Sequence, residues 1–166
     1  MGQQTGGVMM ALHNATDIAN WFIAKCAESG DLVTHLKVQK LLYYAEAWTQ
    51  TLIGKELFSE AIQAWAHGPV VPEVFQEFKQ YGWSPLPVPE DQKIPVVCAE
   101  AEDILTQIFE AYADLPEKTL EDMTHKDAPW IKARGGLSAE ERCDVIMPKS
   151  EICEFFKAKY AAEIDG

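Results

Sequence analysis

The sequence predicts a mainly α fold: one compact domain of about six helices, with a small antiparallel β element near residues 56–65. Three observations carry this. Apolar residues recur at three- and four-residue steps through several long stretches, as one face of a helix requires. Short stretches rich in glycine, proline and polar residues separate those stretches. Between Glu56 and Trp65 the pattern is too short for another stable helix and suits two extended runs instead. A chain of 166 residues with 48% hydrophobic content can bury a proper core, and one domain is the default at that length.

The N-terminal MGQQTGGVMMALH has no basic region followed by an apolar core and a small-residue cleavage site, so it does not read as a secretory signal. Residues 1–13 are expected to be a disordered or appended leader outside the fold. Asn14 then caps a first helix, with Asp17 in its first turn and Ile18, Trp21, Phe22 and Cys26 as its apolar stripe. Ser29-Gly30 ends it.

The central helix is expected from Thr34 to Gly54. Val38, Leu41, Leu42, Ala45, Trp48 and Leu52 share one face, and Trp48 should be buried there. Thr34 is a natural N-cap, Val33 and Val38 could form a hydrophobic staple, and Gly54 is a natural stop. Gln39, Tyr43, Glu46 and Gln50 should form the polar face. Lys37, Lys40, Tyr43 and Tyr44 suggest an exposed contact flank, because tyrosine offers apolar area with a polar tip.

Glu56–Phe58 and Ile62–Trp65 suit a small hairpin turning at Ser59-Glu60. Ala66 to Pro72 reads as a sharp bend: Gly68 permits a backbone conformation closed to other residues, and Pro69 and Pro72 fit the start of a helix. That helix carries Val74, Phe75 and Phe78 and stops near Gly82. Trp83 to Val97, with four prolines, should be an extended surface crossover. A helix follows from about Cys98 to Asp114, then a shorter one with Leu120 and Met123. Pro129 restarts a helix carrying Trp130 and Ile131, closed by Gly135-Gly136. Ser138 to Glu141 has capping-box spacing for a short helix, Val145 and Ile146 could be extended, and a last helix spans about Pro148 to Glu163.

No apolar run is long enough to cross a membrane. The four cysteines include no C-x-x-C pair, so reduced thiols in or near the core are expected, and no ligand spacing supports a metal site. The formal charge is −12, and 18 of the 26 acidic residues fall in residues 83–166. That balance argues against a protein gripping phosphate backbones through a basic patch, and suits either simple solubility or a basic partner. Enzymatic motifs such as G-x-S-x-G, a phosphate-binding glycine loop and H-E-x-x-H do not occur. His67 and His125 most simply hydrogen-bond the bends they occupy. Trp65 and Trp130 either pin those bends to the core or anchor a partner.

The segments KVQKLLYYAEAW, LFSEAIQAWAHGPVVPEVFQEFKQYG and THKDAPW at 124–130 resemble the Panacea domain of the SocA-like antitoxins, which are small bacterial and phage-borne proteins that neutralise a toxin encoded beside them. The likeness runs from about Asn14 to Tyr160, with the domain expected over 14–163. It implies a cytoplasmic antitoxin that binds a cognate toxin protein directly, without catalytic residues, cofactor or metal. Blocking of the toxin and presentation to a protease both remain open. It also implies that Trp65, His67, Gly68, Pro69, His125, Pro129 and Trp130 hold the shared scaffold. The alternative function is a transcriptional or phage regulatory protein contacting DNA, which the acidic balance disfavours.

Overall fold

The computed structural model describes residues 10–138 and 140–165, without the side chains of 164 and 165. Eight α-helices are present among them: α1 Ala15–Glu28, α2 His35–Ile53, α3 Pro72–Phe78, α4 Ala99–Tyr112, α5 Glu117–His125, α6 Ala128–Arg134, α7 Lys149–Lys159 and α8 Ala161–Asp165. Three short strands, β1 Ile62–Trp65, β2 Gly68–Val70 and β3 Ile146–Met147, form one antiparallel sheet in the order β2-β1-β3.

α2 is the axis of the fold. It packs against α1, α4, α5, α7 and β2, so little of its circumference is left to solvent. Around it lies one core that includes Ile18, Phe22, Leu41, Leu42, Phe58, Leu105 and Phe156. Several local expectations hold for the reasons given. Asn14 Oδ1 accepts from the Asp17 N–H at 2.8 Å, satisfying one of the free donors at the start of α1. Gly54 ends α2 in the left-handed region at φ 68°. The proline crossover has no helix beyond one 3-10 turn at Asp91–Lys93, and its Leu86 is tied to the α1–α2 connection by a 2.8 Å bond to the Val33 carbonyl.

Other expectations need correction. The hairpin pairs β1 with β2 and turns at Ala66-His67, not at Ser59-Glu60; Phe58 instead forms an isolated parallel bridge with His13. Leu12 and His13 donate to the Glu56 and Leu57 carbonyls, so the fold takes in two residues of the expected leader, while residues 1–9 lie outside the described residues. Thr34 occupies the N-cap position but its hydroxyl bonds to Glu117, not to the first turn of α2. Ser138 to Glu141 forms no helix among the described residues. Glu141 does reach back to the Ser138 N–H at 3.1 Å, but Arg134 takes the carbonyls of both residues and holds a turn there.

The polar face expected on α2 points inward. Gln39, Tyr43 and Glu46 are buried, whereas Leu52 is 44% exposed. Trp48 is half-buried, with its indole N–H donating to the Tyr112 hydroxyl at 3.1 Å. The physical reason is that α2 has neighbours on most sides, so an amphipathic pattern does not select a solvent face. Gln39, Tyr43 and Glu46 each find a partner far along the chain, at Val71, Asp127, and Leu57 with Lys149.

Candidate functional site

The site is built around the β1–β2 turn. Trp65 pairs with Gly68 across the ladder, which leaves Ala66 and His67 to make the turn. Neither takes a positive φ, so the residue that returns the chain to the strand must do so, and Gly68 sits at φ 118°. Space imposes the same choice. A methyl group at Gly68 would lie 2.9 Å from Thr124 Oγ1 and 3.0 Å from Lys40 Cε.

The turn is pinned from behind by α6. The Trp130 indole N–H donates to the Trp65 carbonyl at 2.9 Å, and Arg134 donates to the Ala64 carbonyl at 3.2 Å. The Arg134 guanidinium also lies 4.8 Å from the Trp130 ring, and His125 stacks on that ring at 4.2 Å. Burial pulls the His125 ring below the ordinary histidine range, against the charge of Glu121. Pro129 starts α6, buried, in the first turn, where its missing N–H has no intrahelical role. The far side of β2 is fixed by Gln39, whose amide both accepts from the Val71 N–H at 2.8 Å and donates to the Val71 carbonyl at 3.3 Å. The same amide lies 2.9 Å from His35 Nε2, and burial, with the charge of Lys40, lowers that histidine to about 4.

In front of the turn lies a cleft of about 170 Å³ between α2, the turn and α5, bordered by Leu36, Lys40, His67, Trp83, Glu117 and Glu121. Lys40 forms its floor and is only 1% exposed. Burial lowers its ammonium to about 8, against the pull of Glu121 and Glu117. His67 Nδ1 lies 2.9 Å from Glu121 Oε2, and Lys118 Nζ lies 3.2 Å from Glu121 Oε1. Burial pushes Glu121 up, but these bonds and the lysine charges outweigh it and hold the carboxyl below its usual range. Glu117 accepts from the Thr34 hydroxyl. Trp83 stands at the rim, 71% exposed, edge-on to His67 at 6.5 Å. These groups suit hydrogen bonding and ion pairing.

The expected exposed flank is not exposed. Tyr43 and Tyr44 are each 1% exposed; Tyr43 donates to Asp127 at 2.9 Å, and Tyr44 stacks on Tyr112 at 4.1 Å. Burial, then Asp127, pushes both phenols well above the ordinary tyrosine range. Lys37 alone of the four is half-buried. The flank fails because α5 and the β1–β2 turn cover Lys40, while α7 and α4 bring Phe156 and Tyr112 against the two tyrosines.

Trp65, Gly68, Pro69, His125, Pro129 and Trp130 converge behind or within the turn, and His67 is its exposed tip. Sequence reasoning missed Trp83, Glu117 and Glu121. A signal existed for the acids, since Glu117 and Glu121 are one helical turn apart just after Pro116. Trp83, the one aromatic in the proline-rich 83–97 loop, was also legible as an aromatic without a helical face.

Among the described residues, no helix is long and apolar enough to cross a membrane. No curated protein and no solved structure matches the chain. A family model described as "Antitoxin SocA-like, Panacea domain" matches residues 38–131, which run from the first turn of α2 into α6. They include the turn, the cleft residues other than Leu36, and Gln39, His125 and Trp130 among the residues that pin the turn, but not Arg134. More than half of the chain is matched, and the chain belongs to the SocA-like antitoxin, Panacea-domain family.

Proposed function

We propose that the protein is the antitoxin of a toxin–antitoxin pair and that it neutralises a cognate protein toxin by binding it directly. The observation that carries this is the family match over 38–131. The net charge of −12 supports it, because an acidic surface speeds the approach of a basic partner and disfavours a nucleic-acid backbone. Binding is stoichiometric and needs no cofactor: the antitoxin occupies the toxin and holds it inactive, in the cytoplasm of the cell that makes both.

The test is co-expression with the product of the neighbouring open reading frame, after showing that this product is toxic alone. Growth should recover, and the two proteins should co-purify at equal stoichiometry. Recovery without a complex would sink direct binding. Toxin that disappears on co-expression, and returns when a cellular protease is deleted, would replace blocking by presentation to that protease.

A further inference from the structure

The carboxylates of the cleft beside the β1–β2 turn are already partnered. Glu117 accepts from Thr34, and Glu121 accepts from His67 and Lys118. Lys40 is the exception. Among the described residues its ammonium makes no hydrogen bond and no ion pair within 4.0 Å, although it is 1% exposed and borders the cleft. An ammonium has three N–H groups to satisfy, and Lys40 Nζ is not one of the enclosed atoms left without a partner. Those N–H groups therefore open onto the cleft, where either water or a partner's acceptor meets them. The cleft thus offers a donor from its floor, and the complementary group in a partner is an acceptor.

Charge narrows the choice. Lys40 and Lys118 balance Glu117 and Glu121, so the cleft is close to neutral and does not call for a full anion. Its walls supply apolar contact from Leu36 and the Trp83 ring. A volume of about 170 Å³ accommodates one side chain or the tip of a loop. Trp83 is an exposed aromatic at the mouth, the type of residue that dominates binding energy once a partner covers it.

We propose that this cleft is an anchor site for the toxin, receiving from it a loop tip that places a neutral acceptor, a backbone or side-chain carbonyl, on Lys40 and lays apolar surface against Trp83. The proposal rests on the antitoxin reading above. It returns Lys40 to partner binding by a different route from an exposed flank: the lysine is reached through the cleft.

The test measures affinity for the purified neighbouring toxin, with melting temperature as control, for the full chain and two variants. Trp83→Ala removes an exposed ring, so the melting temperature should hold while affinity falls about tenfold or more. Lys40→Met keeps the stem and removes only the ammonium, which bonds to nothing among the described residues. Its melting temperature should be unchanged or higher, and affinity should again fall about tenfold. Wild-type protein that binds the toxin, together with both variants binding it equally well, would overturn the cleft and leave the antitoxin reading intact; the cleft would then hold solvent only, for which it has room. Wild-type protein that fails to bind the toxin would overturn both. Should Lys40→Met fold poorly, the result for Trp83→Ala decides alone.

Discussion

Glu46 and Lys40 are carried by the same helix and are both withdrawn from water, at 0% and 1% exposure. Their surroundings differ in kind. Glu46 accepts from the Leu57 N–H at 2.7 Å, the Phe58 N–H at 3.1 Å and Lys149 Nζ at 2.9 Å. Burial raises its pKa, and Lys149 and the two backbone donors oppose that rise. Lys149 in turn bonds to the Phe58 carbonyl and lies 4.6 Å from the Phe58 ring. Lys40 has only carboxylates at a distance, already engaged by others. A buried charge with every bond made fixes where a chain segment goes, here the 57–58 segment and the start of α7. A buried charge with its bonds open towards a cleft fixes no chain segment and leaves its donors free for water or, as proposed, for a partner. The difference separates a closed, structural group from an open one on the same helix.

The largest effect should come from breaking the closed end. Glu46→Ala leaves two buried backbone N–H groups and the Lys149 ammonium without their acceptor, and should cost about 3–5 kcal/mol. Urea unfolding monitored by tryptophan fluorescence measures it. A loss below about 1 kcal/mol would mean that water or a rearranged Lys149 replaces the carboxylate, and the contrast with Lys40 would collapse.

The open end should show itself through pH. A lysine titrates near 10.5 in the unfolded chain and at about 8 here. Between those values the unfolded chain holds a proton that the folded one has released. Stability should therefore rise as pH goes from 8 towards 10.5, and fall again as pH drops through 8. Over the full window the gain is at most about 3 kcal/mol. Comparing wild type with Lys40→Met by urea unfolding at pH 8 and pH 10 isolates it, because the buried tyrosines affect both proteins alike. Equal slopes in the two would mean that Lys40 is solvated in the cleft.

Much of the scaffold was legible because it depends on local chemistry. The Asn14 cap, the Gly54 stop, the Pro72 and Pro129 helix starts and the position of the proline crossover all follow from residues within a few places of one another. What was misread depends on groups far apart in the chain. Tyr43 meets Asp127, Gln39 meets Val71, and Glu46 meets Lys149; no spacing rule reveals such pairs. The face of α2 carrying them looked like a solvent face because polar residues usually are one. For the same reason Lys40 could be singled out as a contact residue while its environment was wrong. The turn carried its own sign, Gly68-Pro69 after Trp65, but its strand partner was misplaced because β1 could pair as plausibly with the residues before it as with those after.

Gly68 joins the two regimes, since the residue that shapes the scaffold turn also makes room for the open lysine. Gly68→Val forces a branched side chain into positive φ and against Thr124 and Lys40, and should cost about 2 kcal/mol. Repeating it in a Lys40→Ala background removes one of the two contacts, so the cost should shrink by a measurable part. An unchanged cost would assign the whole penalty to the backbone and Thr124.

The smallest effect should come from the tip of the same turn. His67 immediately precedes Gly68, but its side chain is 62% exposed, and among the described residues its ring's one polar side-chain contact is with Glu121, at 2.9 Å. Losing it does not strand that carboxylate, because Lys118 lies 3.2 Å from the other oxygen and remains. Nor does it disturb the Ala66-His67 turn, whose backbone needs no positive φ at either residue. His67→Ala should therefore move stability by about 0.5 kcal/mol, as exposed pairs do. Urea midpoints with matched slopes check it. If the loss reached about 2 kcal/mol, His67 would be bearing on Lys40 and the cleft floor, and the boundary between the closed scaffold and the open site would have to move one residue towards the N-terminus.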